Sequence, residues 1–388
     1  MAAHIVGWFH LPFGKLDTIS LESLIVHAAR GAIHHAEIAA DEVDAMWLGN
    51  LNGGLVPDLF CSSMILGADD GLRWKPSIRI ENACASGASA VYSACDAIES
   101  GRSKIALVVG AEKMTEVDGS IVTNVLADCS YVKEESASGL TFPGIFAKLT
   151  RSYFDLYGDH SLALAKIAVK NHANAVNNPW AHIRKELTLD FCNTISDKNP
   201  YIAEPLRKTD CSLVSDGAAA LILADESIIN QFPRAVKFRS RVQVNDYLPL
   251  SKRVPIAFEG PKRAWALALA QAGCSIKDIS FAEIHDCFTI AELLTYEAMG
   301  LANAGEGGRL IDEGAVHLNG SIPINPSGGL KAKGHPIGAT GVSMHVLSAM
   351  QLCNEALEMQ IENASLAGIF NMGGSAVVNC VSILERAH

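Results

Sequence analysis

Apolar and polar positions follow two rhythms along this chain. Short apolar runs of strand length, at Ile78–Ile80, Lys104–Gly110, Ala218–Ala224, Phe281–Ile284 and Ala364–Phe370, stand between stretches with helical spacing such as Phe288–Met299. Strands separated by helices predict an α/β fold. The amino-terminal segment through His10 reads as a first strand, and Ser375–Ile383 as a last one.

One unit of this pattern occurs twice. Cys84-Ala-Ser-Gly87-Ala-Ser-Ala-Val91 and His335-Pro-Ile-Gly338-Ala-Thr-Gly-Val342 each place a reactive side chain three residues ahead of a glycine that opens a small-residue helix. The first follows the strand Ile78–Ile80, and the second is expected to follow a strand at Ser321–Asn325. An apolar strand comes after each helix, Lys104–Gly110 and Ala364–Phe370, the latter ending in a glycine turn, Asn371-Met-Gly-Gly374. The period is too long for a solenoid, so the chain reads as a tandem duplication. Equivalent helix starts face one another in a pseudo-twofold fold, which brings a thiol nucleophile to an imidazole base.

Between Val117 and Leu213 the pattern lapses into a segment rich in Asn, Ser, Lys and aromatic residues. The expected division is therefore a first half at 1–117 plus 213–234, an inserted loop domain at 118–212, and a second half at 235–388. In the second half His285-Asp286-Cys287 falls at a strand-to-helix junction, where side chains and helix N-terminal amides face outward.

Composition narrows the function classes. A chain of 388 residues with 49% apolar content fits two to three domain equivalents with a large core. Its longest apolar runs fall short of the roughly 18 residues that span a bilayer, and the amino terminus lacks a basic, apolar leader. Ten cysteines without a C-x-x-C pair argue against a disulfide framework or a zinc site and for a reducing, cytoplasmic setting, with no metal expected. A net charge of −11 disfavours nucleic acid. Between Ile145 and Lys208, however, nine basic residues face six acidic ones. That local excess reads either as ordinary solvated helix faces or as an anion-binding lid.

At this point the chain resembles the thiolase family, through Glu81-Asn-Ala-Cys-Ala-Ser-Gly87, His285-Asp-Cys-Phe288, Gly334-His-Pro336 and Asn371-Met-Gly-Gly374, and the resemblance spans nearly its whole length. The H-D-C-F block is similar to that of the sterol-carrier-protein thiolase subgroup. A second catalytic cysteine of many thiolases is replaced here by Asn371, and the subgroup draws that thiol from Cys287 instead. The resemblance implies a thiolase fold, a duplicated five-layered αβαβα architecture with an inserted loop domain.

It also implies CoA-dependent cleavage of a 3-oxoacyl-CoA to acetyl-CoA or propionyl-CoA and a shortened acyl-CoA, or the reverse Claisen condensation. Cys84 is then the acyl carrier, activated by His335 and by a helix N-terminus toward a pKa of about 3.5 to 7.5. Cys287 is the acid/base, effective if its thiol titrates near neutrality. His335 and His285 meet the enolate oxygen, while the amides of Cys84 and Gly373 form a second oxyanion hole. Ser212 is expected at the pantetheine and Phe288 at the acyl chain. The CoA phosphates are expected among Lys148, Arg151, Lys166, Lys170, Arg184 and Lys185.

CoA is in this reading a substrate, with no permanently bound cofactor. The implied partners are acyl-CoA, CoA, a second copy of the chain in a homodimer or tetramer, and a small OB-fold protein known beside bacterial and archaeal relatives; neither nucleic acid nor membrane is expected. The chain stops a few residues beyond its last strand, so no sterol-carrier lipid domain is expected to follow. Two rivals stand beside it. A ketosynthase-like condensing enzyme of the same fold would not need Cys287, and a non-catalytic acyl-CoA- or lipid-binding protein, or a partner-dependent subunit, would show no turnover alone.

Overall fold

The computed structural model describes residues 2–388. In chain order its first half holds β1 (Ala3–His10), α1 (Leu21–His35), β2 (Ala45–Gly49), β3 (Ser77–Ile80), α2 (Ser86–Glu99) and β4 (Ile105–Glu112). Four helices follow, α3 (Gly119–Ala127), α4 (Phe142–Tyr157), α5 (Ser161–Ala175) and α6 (Leu189–Asn193), then the small hairpin β5 (Tyr201–Ala203) and β6 (Leu206–Arg207). The chain returns through β7 (Gly217–Asp225) to β8 (Val236–Asn245), α7 (Glu259–Ala272), β9 (Phe281–Ile284), α8 (Thr289–Ala298) and α9 (Gly307–Asp312). It closes with α10 (Ile337–Leu352), β10 (Leu366–Gly373) and β11 (Val378–Arg386).

The strand order β3-β2-β4-β7-β1-β8-β11-β10-β9 contains the duplication. In the first half β2 pairs in parallel with β3 and β4, and β7 runs antiparallel between β4 and β1. In the second, β9 and β10 are parallel, and β11 runs antiparallel between β10 and β8. Among the described residues the two halves of this sheet join at one corner, where His4 and Ile5 of β1 meet Lys237 and Val236 of β8.

The predicted lead-in strand at Ser321–Asn325 is not a strand. Only Ile324 pairs, in a single parallel bridge with Ala282 at the position equivalent to β3. Pro323 and Pro326 have no amide hydrogen to give a ladder, and Asn325 adopts a left-handed φ of 55°. The predicted glycine turn is also later than expected, since Asn371, Met372 and Gly373 complete β10.

Helix α1 covers the outer face of the first sheet and α7 that of the second, while α2 and α10 lie between the sheets. All of α10 is buried, as a helix sandwiched on every side must be. Its small residues let two backbones touch. A Cβ on Gly341 would sit 2.2 Å from the Ala88 nitrogen, and one on Gly87 would sit 2.8 Å from the Gly338 carbonyl oxygen. Glu112, at the end of β4, accepts the amides of Leu51, Asn52 and Gly338 and so fastens the start of α10 to the first sheet. The five layers are thus set by which positions can spare a side chain.

Candidate active site

The nucleophile turn is built by local hydrogen bonds between β3 and α2. Glu81 Oε1 accepts the Ala83 amide at 2.6 Å, and Ser86 Oγ accepts the Asn82 amide at 2.8 Å while donating to the Ala83 carbonyl at 2.6 Å. These contacts hold Ala83 at φ 48°, a left-handed conformation that costs a non-glycine residue about 1–3 kcal/mol. The strained turn presents Cys84 to the wall of an 840 Å³ cavity, where only 4% of the residue is exposed.

A second turn carries His285, Asp286 and Cys287 from β9 into α8. Asp286 is fully buried and accepts the amides of Leu330 (2.6 Å) and Lys331 (3.2 Å) and the Asn171 side chain (2.8 Å). It therefore ties this turn both to the inserted segment and to the π-helical turn Gly329–Lys333 that leads to His335. His335 Nδ1 lies 2.7 Å from Thr340 Oγ1, whose own proton goes to the Pro336 carbonyl at 3.0 Å. Thr340 must then accept from Nδ1–H, which leaves Nε2 of His335 as a lone pair. That nitrogen is buried with no partner.

The expected meeting of distant residues is seen here. Donor atoms of Cys84, His285 and His335 all lie within 4.8 Å of one another. The two imidazoles stand edge to face, with centroids 5.1 Å apart. Cys287, Ser212, Phe288 and His335 line the same cavity as Cys84. The spacing of the trio is one a metal ion can also use, but a cavity-lining thiol and imidazole backed by a second, buried imidazole equally suit acyl transfer.

Electrostatics correct one expectation. Burial, then Cys129, pushes the Cys84 thiol above its ordinary value, although the amides of Gly374 and Cys84 oppose this. Burial and the nearby Lys333 lower His335 to about 3. The pair rests as neutral thiol and neutral imidazole, because desolvation outweighs the helix terminus. Cys287 is likewise raised, by burial and then by Cys84 and Asp286, so it is a stored proton and not a thiol poised at neutrality.

Other assignments shift. The amide facing the Cys84 sulfur belongs to Gly374, one residue beyond the expected Gly373. Gly373 instead pairs with Val378 in the β10–β11 ladder. Ser212 donates its amide to the Cys287 carbonyl at 2.8 Å, and the adjoining pair Cys211 and Phe288 forms a bridge, so the returning chain braces the H-D-C-F turn. That hydrogen bond holds Ser212 on the cavity wall. Phe288 stacks on Phe146 at 4.4 Å beside Phe142 and gives the cavity an aromatic wall.

Of the six basic candidates, Lys170 is excluded as a phosphate contact, because it is buried in an ion pair with Glu292 at 2.9 Å. Lys166 pairs with Asp312, and Arg184 with the Val176 carbonyl. None of the six lines the cavity; its cations are Lys15 and Lys208. Lys208 was within the counted basic excess, but nothing in the pattern singled it out. Thr340 was missed as well, and Asn371 was noted only as the replacement of a cysteine, since its contacts with Cys84 and His285 lie far away in sequence.

Fold and site together define an acyltransferase built on a duplicated α/β scaffold with a buried cysteine and two histidines. Profiles described as "Thiolase, N-terminal domain" and "Thiolase C-terminal domain-like" match residues 3–227 and 243–386, and the chain belongs to the thiolase family. It is 36% identical to an acetyl-CoA acetyltransferase of Methanothermobacter thermautotrophicus, covering 98% of this chain and 99% of that protein. Identity to human sterol carrier protein 2 is 33%, covering 94% of this chain and 68% of the longer human protein. Among solved structures, the Ltp2-ChsH2(DUF35) aldolase superposes with a TM-score of 0.85 at 22% identity, covering 99% of this chain and 97% of the other. Human mitochondrial 3-ketoacyl-CoA thiolase in complex with CoA gives 0.76 at 17% identity, covering 100% and 98%. Identities this low establish a shared fold.

Proposed function

We propose that this thiolase cleaves a 3-oxoacyl-CoA with free CoA, or runs the reverse condensation, through an acyl-Cys84 intermediate. The observation that carries this reading is the convergence of Cys84, His285 and His335 within 4.8 Å, beside a cavity lined by Cys84, His335 and the second thiol, Cys287.

In cleavage, His335 Nε2 takes the Cys84 proton as the sulfur attacks the 3-oxo carbon. The tetrahedral oxyanion is met by the amides of Cys84 and Gly374. The C2–C3 bond then breaks, leaving acyl-Cys84 and the enolate of acetyl-CoA, which Cys287 protonates. The enolate oxygen is held by the imidazoles of His335 and His285. Incoming CoA gives its thiol proton to the Cys287 thiolate and attacks the acyl group, and the departing Cys84 sulfur recovers its proton from His335. Both thiols end as they began.

Ser212 and Phe288 are assigned to the pantetheine and acyl portions, and residues 118–212 to one substrate-binding domain. The exposed cavity lysines Lys15 and Lys208 are assigned to the CoA phosphates in place of the earlier candidates. Edge strand β3, with Ile78 half exposed and Leu59, Phe60 and Trp74 exposed nearby in sequence, favours a homodimer paired through the first sheet. The DUF35 partner named in the aldolase structure supports a small OB-fold partner. Free cysteines favour a cytoplasmic setting, and among the described residues no helix is long and apolar enough to cross a membrane.

The test is CoA-dependent cleavage of acetoacetyl-CoA and of a 2-methyl-branched 3-oxoacyl-CoA. Turnover abolished by Cys84→Ala supports the reading. No wild-type turnover brings forward the binding or partner-dependent reading, and turnover that needs malonyl substrates brings forward the ketosynthase one.

A further inference from the structure

The two active-site histidines have the same chemistry but different hydrogen-bond partners. His335 Nδ1 is committed as a donor to Thr340, so its Nε2 is an acceptor. His285 is held differently. Its Nδ1 lies 3.1 Å from Asn371 Nδ2, and the same amide nitrogen lies 3.0 Å from the Cys84 carbonyl oxygen.

A carbonyl oxygen carries no proton, so it dictates which way the Asn371 amide faces. Turning the amide over would set Oδ1 against the Cys84 oxygen, acceptor against acceptor, and lose that contact. With Nδ2 thus fixed, one of its hydrogens goes to Cys84 and the other points at His285 Nδ1, which must accept it. Asn371 Oδ1 is left buried without a partner. It lies over Gly341, where a Cβ would come within 2.4 Å of it. The contact of Nδ2 with the Cys84 carbonyl, and not any partner of Oδ1, sets the orientation.

We infer that Asn371 is a positioning residue that locks neutral His285 in the Nε2–H tautomer, so that the active site presents one imidazole as a hydrogen-bond donor and the other as a base. Burial and the neighbouring His335 hold His285 well below its ordinary pKa, so it is neutral and the choice of tautomer is a real one. The position is apt, because β10 brings Asn371 between the sheet and the central helices, in touch with both the nucleophile turn and the H-D-C-F turn. The consequence for catalysis rests on the proposed thiolase reading, in which a donor meets the enolate oxygen. The tautomer itself does not. In a serine-protease triad, an imidazole held in the wrong tautomer loses about 10⁴-fold in kcat.

The experiment is long-range ¹H–¹⁵N correlation of ¹⁵N-histidine-labelled protein at pH 7, with signals assigned through His285→Gln and His335→Gln. The wild type is expected to show His285 as Nε2–H and His335 as Nδ1–H; His285 as Nδ1–H in the wild type overturns the inference. In Asn371→Asp a near-isosteric acceptor faces Nδ1. There His285 is expected to carry a proton on Nδ1, and kcat for cleavage to fall by about 10²–10⁴-fold, the usual range for a positioned proton donor, with KM little changed. Retention of Nε2–H alone in that variant, or a switch without loss of kcat, also overturns it. Correct wild-type tautomers in a protein that cleaves no 3-oxoacyl-CoA would sink the functional reading and leave the tautomer assignment standing.

Discussion

His285 and His335 meet edge to face at 88°, with Cys84 beside both. Each ring is buried and neutral at rest, and so is the thiol they flank. Charge separation in this site is therefore an event that substrate binding must assist, through the dipoles it brings and the water it displaces.

Cys84 is for that reason expected to react sluggishly with iodoacetamide at pH 7, more slowly than a free cysteine, since the thiolate is the attacking species. Peptide mass spectrometry of timed samples checks this. Rapid alkylation of Cys84 at pH 6 would contradict the neutral resting pair.

Stability is expected to fall on mild acidification. Burial lowers His10, His172 and His335 to about 3 and His345 to about 4, and His285 is also depressed. The unfolded chain binds protons at these sites below about 6.5 and the folded chain does not. Stability present above that pH is lost as pH falls toward the folded values, by up to about 1.4 kcal/mol per pH unit for each histidine. Glu112 and Asp286, raised to about 7 by burial, act in the opposite sense and offset part of the loss. Thermal unfolding followed from pH 7 to pH 5 should show a falling Tm; a flat profile would mean that these histidines charge within the fold.

Lys170 and Glu292 form a fully buried ion pair, and Glu292 also receives Tyr296, Asn171 and Asn325. Lys170→Met removes one charge and leaves the other uncompensated, so a loss of about 3–5 kcal/mol is expected by denaturant titration. Because Asn171 also holds Asp286, activity should fall in parallel.

Gly341→Ala adds one methyl group where Ala88 and Asn371 already fill the space. The central helices must move apart, shifting Cys84 and His335 together. Expected outcomes are a lowered Tm and loss of activity; wild-type behaviour would show that the helices have room to spare.

Much of this arrangement was legible in the sequence where a local signature carried it. Cys84 and His335 stood out because each precedes a glycine-led small-residue helix, and Cys287 because it falls where a strand gives way to a helix. What escaped depended on the partner. Nothing local marks Asn371 as the link between Cys84 and His285, since its contacts lie 287 and 86 positions away. Desolvation is similarly invisible, so the helix terminus suggested an acidic thiol while burial made a neutral one. The lead-in strand at Ser321–Asn325 failed because its prolines outweighed its apolar spacing.

The central claim is that two thiols divide the work, Cys84 carrying the acyl group and Cys287 moving the proton. It is tested most directly by Cys287→Ala, followed by intact mass after mixing with acetyl-CoA and by cleavage of acetoacetyl-CoA. The account predicts an acetyl adduct on Cys84 as in the wild type, with cleavage reduced by about 10²–10⁴-fold. Cleavage at the wild-type rate in Cys287→Ala would contradict it.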